Sequence, residues 1–160
     1  MDIVYIETTV VGNIAGRMHP NPDIASRQRI TRDWWAKATK RYRIVTSRLT
    51  LDECGGGDPS AAAERLEILQ GIPLLNVSSE AELLAELLIV RKAVPSTEPR
   101  DALHIATAAT NGVQFIATWN FKHILNPHLQ AQIAGTCREA GFVPPVICTP
   151  EQLKATEYDS

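Results

Sequence analysis

The sequence predicts an α/β fold: a three-layer sandwich around a central, mostly parallel sheet of four or five strands. Three observations lead there. Short apolar runs of strand length recur from one end of the chain to the other. Between them lie longer segments with helical punctuation, Asn-Pro or Asp-Pro in front and glycine behind. Strands that alternate with helices need crossover connections, which keep the strands parallel and leave helices on both faces of the sheet. A chain of 160 residues has room for one such core and not for two. We assign residues 1–150 to a single domain and 151–160 to a C-terminal tail, of which only the last few residues read as disordered.

In order, the first strand is Ile3–Ile6, which starts the chain without a basic leader. Asn21-Pro22 then reads as an N-cap with proline in the first helical position, opening a helix of about 22–40. Arg43–Thr46 is the second strand, and Ser47–Glu53 is a short helical stretch stopped by Gly55-Gly56-Gly57. Asp58-Pro59 opens a helix to about residue 70, which Gly71 closes. Pro73–Val77 is the third strand. Ser79 to about Arg91 places Leu83, Leu84, Leu87 and Leu88 at three- and four-residue spacings, an apolar helical face. After the Pro95–Pro99 break, a helix runs from Arg100 to Thr110 and ends at Asn111-Gly112. Gln114–Thr118 is the fourth strand, Pro127–Ala140 a last helix, and Val146–Cys148 a candidate fifth strand. There is no internal repeat and no low-complexity segment.

Composition narrows the function classes. No apolar run is long enough to span a bilayer, and the expected location is cytoplasmic. Cys54, Cys137 and Cys148 have no metal-ligand spacing and are odd in number, which reads as buried or idle thiols. The net charge of −2 hides an asymmetry. Residues 27–48 hold eight basic residues against Asp33, a net of +7, and residues 49–90 hold eight acids against Arg65, a net of −7. Arg27, Arg29, Arg32, Lys37 and Lys40 on the basic helix form a candidate surface for a nucleic-acid backbone. A helix whose charges pair with the acidic stretch is the alternative. Trp34 and Trp35 in that helix favour core or dimer packing over base stacking.

Ligands of open parallel sheets collect beyond the carboxyl ends of the strands. Glu7 follows the first strand there, and Asn120 follows the fourth. Asp101 lies in the first turn of the Arg100–Thr110 helix, where the helix dipole favours a carboxylate, and the short Asn111-Gly112 connection turns it toward the edge that carries Asn120. The same carboxylate could serve only as an N-terminal charge. His104, one turn on, shares its face and could orient it, although a hydrogen-bonded core histidine is the commoner role. Of Asp52 and Glu53, Glu53 is the better candidate, because it lies four residues after Leu49 and so beside the core.

Together these residues carry a resemblance. A strand ending in Glu7-Thr8-Thr9, a mid-chain Glu53, the run Asp101-Ala-Leu-His-Ile-Ala-Thr-Ala108, and Thr118-Trp119-Asn120 with His123 resemble the PIN domain. Within it they are most similar to the VapC-like nucleases of toxin–antitoxin pairs. That resemblance covers roughly residues 3–150. It implies a metal-dependent endoribonuclease in which Glu7, Glu53 and Asp101, with Asn120, hold Mg²⁺ or Mn²⁺, supported by the Thr118 hydroxyl, with His104 added as a supporting residue from its place on the Asp101 face. It also implies RNA as substrate, a homodimer, and an antitoxin partner. Such ions take oxygen ligands, activate a bound water and stabilise the leaving oxygen. Glu7 is one methylene longer than the aspartate usual in the family, and Asn120 is neutral where an acid is often found. These two departures support a rival reading, a catalytically weak PIN-fold module that binds RNA or a partner.

Overall fold

A computed structural model describes residues 1–155. The order of elements is β1 (Ile3–Ile6), α1 (Thr8–Ile14), α2 (Pro22–Arg41), β2 (Arg43–Ser47), α3 (Arg48–Cys54), α4 (Pro59–Leu69), β3 (Leu74–Leu75), α5 (Ser79–Val90), α6 (Pro99–Thr110), β4 (Phe115–Ala117), α7 (Pro127–Glu139), β5 (Val146–Cys148) and α8 (Pro150–Ala155). The strands form one five-stranded sheet in the order β3-β2-β1-β4-β5, and every pairing is parallel. The chain lays β2 and β3 on one side of β1 and then returns to add β4 and β5 on the other. The order therefore reverses between β1 and β4, and the crevice beyond their carboxyl ends is where an open α/β sheet takes its ligand.

Alternation along the strands divides the core in two. Tyr5 and Ile116 face one side, where α5, α6 and α7 bury Leu84, Leu88, Ile105 and Ile133 against them. Val4, Ile6 and Ala117 face the other, against Val10 and Val11 of α1, Trp34 and Ala38 of α2, Leu69 of α4 and Leu153 of α8. The central strand is thus buried on both faces, which explains its unbroken apolar run. Trp34 is fully buried, so that ring is a core residue, and its indole nitrogen has no hydrogen-bond partner among the described residues. Cys54, Cys137 and Cys148 are all buried and free.

Local signals act as read at several helix starts. Asn21 Oδ1 accepts from the Asp23 amide at 2.9 Å, and Asp58 Oδ2 accepts from that of Ala61 at 3.0 Å. Past α4, Gly71 adopts φ +81°, a left-handed conformation that costs a glycine little. Three details differ from the sequence reading. Strand β3 is only Leu74–Leu75, shorter than Pro73–Val77, with the Thr46 amide also donating to Pro73 O at 3.1 Å. On α5 the buried stripe is Ala81, Leu84, Ala85 and Leu88, whereas Leu83 points outward and is 66% exposed. Helix α1 was not foreseen: its β-branched threonines and valines and a mid-helix glycine have poor helix propensity, and the Glu7 cap with burial of Val10 and Val11 selects it.

Helix α8 extends the packed chain to Ala155. Its start is a capping box, in which Gln152 N–H donates to Thr149 Oγ1 at 3.1 Å and Thr149 N–H donates to Gln152 Oε1 at 2.9 Å. Residues 151–155, read as the beginning of a tail, thus carry Leu153 into the core. The disorder expected of the last few residues, 156–160, lies outside the described residues. No helix among the described residues is long and apolar enough to cross a membrane.

Candidate active site

Glu7 sits at the carboxyl end of β1, where its amide donates to Ala117 O of β4 at 3.2 Å. Its side chain turns back to cap α1. Oε1 accepts from the Thr9 amide at 2.9 Å, from the Thr118 hydroxyl at 2.9 Å and from the Thr9 hydroxyl. Both hydroxyls are themselves fixed: Thr9 Oγ1 accepts from Trp119 N–H at 2.8 Å, and Thr118 Oγ1 accepts from Asn120 N–H at 3.0 Å. The two threonines therefore clamp the segment after β4 onto the β1–α1 corner. Glu7 is only 4% exposed. Burial raises its carboxyl above the usual range, although the threonines and the nearby His104 pull the other way.

Asp101 arrives from the first turn of α6, also buried. The amide nitrogen of Asn120 donates to its Oδ2 at 3.3 Å, and His123 Nδ1 lies 3.1 Å from the same oxygen. The Asn120 amide has only one sensible orientation, since its Oδ1 accepts from the His123 amide at 3.1 Å. It thus presents a donor to Asp101 and positions that carboxylate. Burial raises the Asp101 carboxyl, Glu98 adds to the effect, and His104, His123 and Asn120 oppose it. Glu98, Asp101 and His123 each offer a ligand atom, all within 4.8 Å of one another.

Glu53, in the last turn of α3, has a different environment. Oε1 accepts from the Thr8 hydroxyl at 2.5 Å and meets His104 Nε2 at 2.7 Å, and Oε2 accepts from Arg100 Nε at 3.1 Å. Burial pushes this carboxyl up, but His104, Thr8 and Arg100 together outweigh it and bring it down to about 2. Neighbouring Asp52 is exposed, as the Leu49 spacing predicts. His104 is 1% exposed, and its Nδ1 lies 2.6 Å from the Tyr5 hydroxyl, which is 2.7 Å from Ser47 Oγ. A carboxylate at Nε2 places a proton on that nitrogen, and the Tyr5 hydroxyl bridges His104 Nδ1 and Ser47 Oγ. The result is a buried chain from Ser47 through Tyr5 and His104 to Glu53.

Thus β1, α3, α6 and the segment after β4 bring Glu7, Glu53, Asp101 and Asn120 to one edge of the sheet, linked through Thr118 and His104. The basic set divides. Arg27, Arg29, Lys37 and Lys40 are exposed on α2, whereas the Arg32 guanidinium donates to the Asn13, Ala15 and Gly16 carbonyls beyond and within the end of α1. Sequence reasoning gave no role to Glu98, Arg100, Tyr5, Thr8 or Thr9, and none to His123 beyond its place in the motif. Two signals were available: Glu98 and Asp101 share the first turn of α6 at i and i+3, and Tyr5 puts a hydroxyl in an otherwise apolar strand. A cavity of about 680 Å³ lies elsewhere. It lies among Gln114, Phe115, Phe142 and Val146 at the amino ends of β4 and β5, and Asp2 is the one carboxylate lining it.

Buried carboxylates gathered at the switch point of a parallel sheet define a class: an α/β domain with a candidate centre for hard divalent cations. The particular family follows from the sequence as a whole. Residues 4–122 match the PIN domain, and the chain belongs to that family, whose members are typically metal-dependent nucleases using divalent cations. No significant match to a curated protein or to a solved structure was found.

Proposed function

We propose that the protein is a Mg²⁺- or Mn²⁺-dependent endoribonuclease of the VapC type, the toxin of a toxin–antitoxin pair. One observation carries this reading: Glu7 and Asp101, more than ninety residues apart, are both buried at the β1/β4 switch point with carboxyls raised by burial. Acids held this way lack full compensation from the protein, and their oxygens suit a hard cation. Glu7 Oε2, which has no hydrogen bond among the described residues, and Asp101 would hold the ion, with Glu98 and His123 beside Asp101. A bound ion supplies a water of lowered pKa and a counter-charge for the phosphate. Asn120 holds Asp101 in orientation, and Thr118 and Thr9 hold Glu7. Glu53, saturated by Thr8, His104 and Arg100, keeps the cluster negative and anchors the first turn of α6. Arg27, Arg29, Lys37 and Lys40 would neutralise RNA phosphates without reading sequence. A homodimer and an antitoxin partner belong to the same reading, and the outward Leu83 and Val90 of α5 offer an apolar surface for such contacts.

The test is incubation of the purified chain with single-stranded RNA and DNA in Mn²⁺, with and without EDTA, beside Asp101→Asn. Expected is RNA cleavage that EDTA and the substitution each abolish. Cleavage undiminished in Asp101→Asn would refute the site. Binding of RNA without any cleavage would favour the second reading, a catalytically weak binding module, for which the neutral Asn120 and fully compensated Glu53 speak.

A further inference from the structure

Phe121 is the feature that neither the core nor the acid cluster uses. It is 49% exposed and belongs to neither half of the core. In sequence it directly follows Asn120, whose amide touches Asp101. Its ring lies 6.0 Å from that of Trp119, tilted by 56°. The Arg27 guanidinium, from α2, stands 5.1 Å from the Phe121 centroid and 5.8 Å from that of Trp119. The base of this arrangement is fixed. Trp119 is 8% exposed, its Nε1 donates to Thr31 Oγ1 at 2.9 Å, and Thr31 in turn donates to Arg27 O at 2.6 Å.

A half-exposed aromatic ring with a guanidinium over it, one residue from a cluster suited to cations, has a specific chemistry. Nucleobases stack on aromatic rings whatever their identity, and a guanidinium pairs with phosphate oxygens in a fixed fork. Bases in a duplex are stacked on one another and offer no free face, so stacking of this kind selects unpaired strands. We propose that Phe121 and Arg27 form a nucleotide subsite of the cleavage centre: Phe121 stacks a base next to the scissile phosphate, and Arg27 takes a flanking phosphate. On the ribonuclease reading the substrate is then an unpaired RNA strand, bound with little preference for base. This inference rests on the nuclease reading of the adjoining acids, and its test separates the two.

The full-length chain is used throughout. Binding of a fluorescein-labelled single-stranded RNA of mixed sequence is followed by anisotropy in Mg²⁺ in an Asp101→Asn background, and cleavage kinetics are measured in the parent chain. Phe121→Ala is expected to weaken single-strand binding by roughly 5- to 100-fold and to raise KM far more than it lowers kcat, the loss of one stacked base. Phe121→Tyr should retain binding. An abasic nucleotide at the stacked position should weaken the parent and cause no further loss in Phe121→Ala. Arg27→Gln should lower the slope of log affinity against log salt by about 0.7, one phosphate contact. Duplex RNA of the same sequence should bind more weakly and be insensitive to Phe121→Ala. Equal single-strand affinity in the parent and Phe121→Ala, or equal sensitivity of duplex and single strand, would overturn the subsite, and so would a parent that binds no RNA. Stacking at Phe121 in a parent that cleaves nothing would leave a single-strand binding site at Phe121 and Arg27 and remove the nuclease reading.

Discussion

Replacing Tyr5 with phenylalanine removes one oxygen from the middle of the molecule and nothing from its surface. That oxygen is bonded to His104 Nδ1 at 2.6 Å and to Ser47 Oγ at 2.7 Å, with all three groups buried. The ring itself keeps its packing, so the change isolates the polar term. A buried group that loses its partner costs about 1–3 kcal/mol, and two such groups place the expected destabilisation at about 2–6 kcal/mol. For a chain of this length that is a fall in Tm on the order of 5–20 °C. Thermal unfolding of parent, Tyr5→Phe, Ser47→Ala and the double variant measures it. Because Ser47 acts through the same oxygen, the double variant should lose less than the two single losses added together. Under the proposed function kcat also falls, since His104 then holds Glu53 less firmly. A Tm for Tyr5→Phe within a degree of the parent, or strict additivity with Ser47→Ala, would refute the hydrogen-bonded chain.

The Glu53 carboxyl, held near 2 against an ordinary 4.5, stabilises the fold above pH 4.5 and loses that contribution as pH falls toward 2. Denaturant titrations across that window should show stability declining in the parent and a flatter profile in Glu53→Gln. Asp101 has the opposite sign: burial disfavours its charge, so Asp101→Asn should unfold no earlier than the parent in metal-free buffer. Mn²⁺ should raise the parent's stability by about 2.7 kcal/mol at a hundredfold excess over Kd, and this gain should vanish in Asp101→Asn; an equal shift in both chains would count against Asp101 as a ligand. Leu153→Ala, which empties a buried site under α8, should cost about 2–5 kcal/mol in chemical denaturation, and a neutral result would mean that α8 does not pack as described.

The architecture was legible because its signals are local. Apolar runs marked all five strands, and Asn21-Pro22 and Asp58-Pro59 marked helix starts that the structure places at the same residues. Helix α1 was not legible, because its residues favour strand and only tertiary burial makes them helical. Helix α8 was legible in principle, since Thr149 and Gln152 spell a capping box, but its six residues are too few to show a helical period. At the site, the choice of Glu53 over Asp52 followed from one core neighbour, Leu49, and the strand ends pointed to Glu7 and Asn120. The partners of those acids did not show. Arg100 on Glu53 and His123 on Asp101 depend on where two helices and a turn meet, 47 and 22 residues apart in sequence, and no periodicity encodes that meeting.

The threonine clamp on Glu7 has a consequence in time as well as in space. Its oxygen donors include Thr118, 111 residues downstream, and Asn120, which sets Asp101, follows two residues later. A nascent chain that has already formed β1, β2 and α3 still lacks β4, and with it half of the centre. Under the proposed function, a chain that ends before Thr118 and Asn120 can neither clamp Glu7 nor set Asp101, and cleavage waits until β4 and the segment after it have docked against β1.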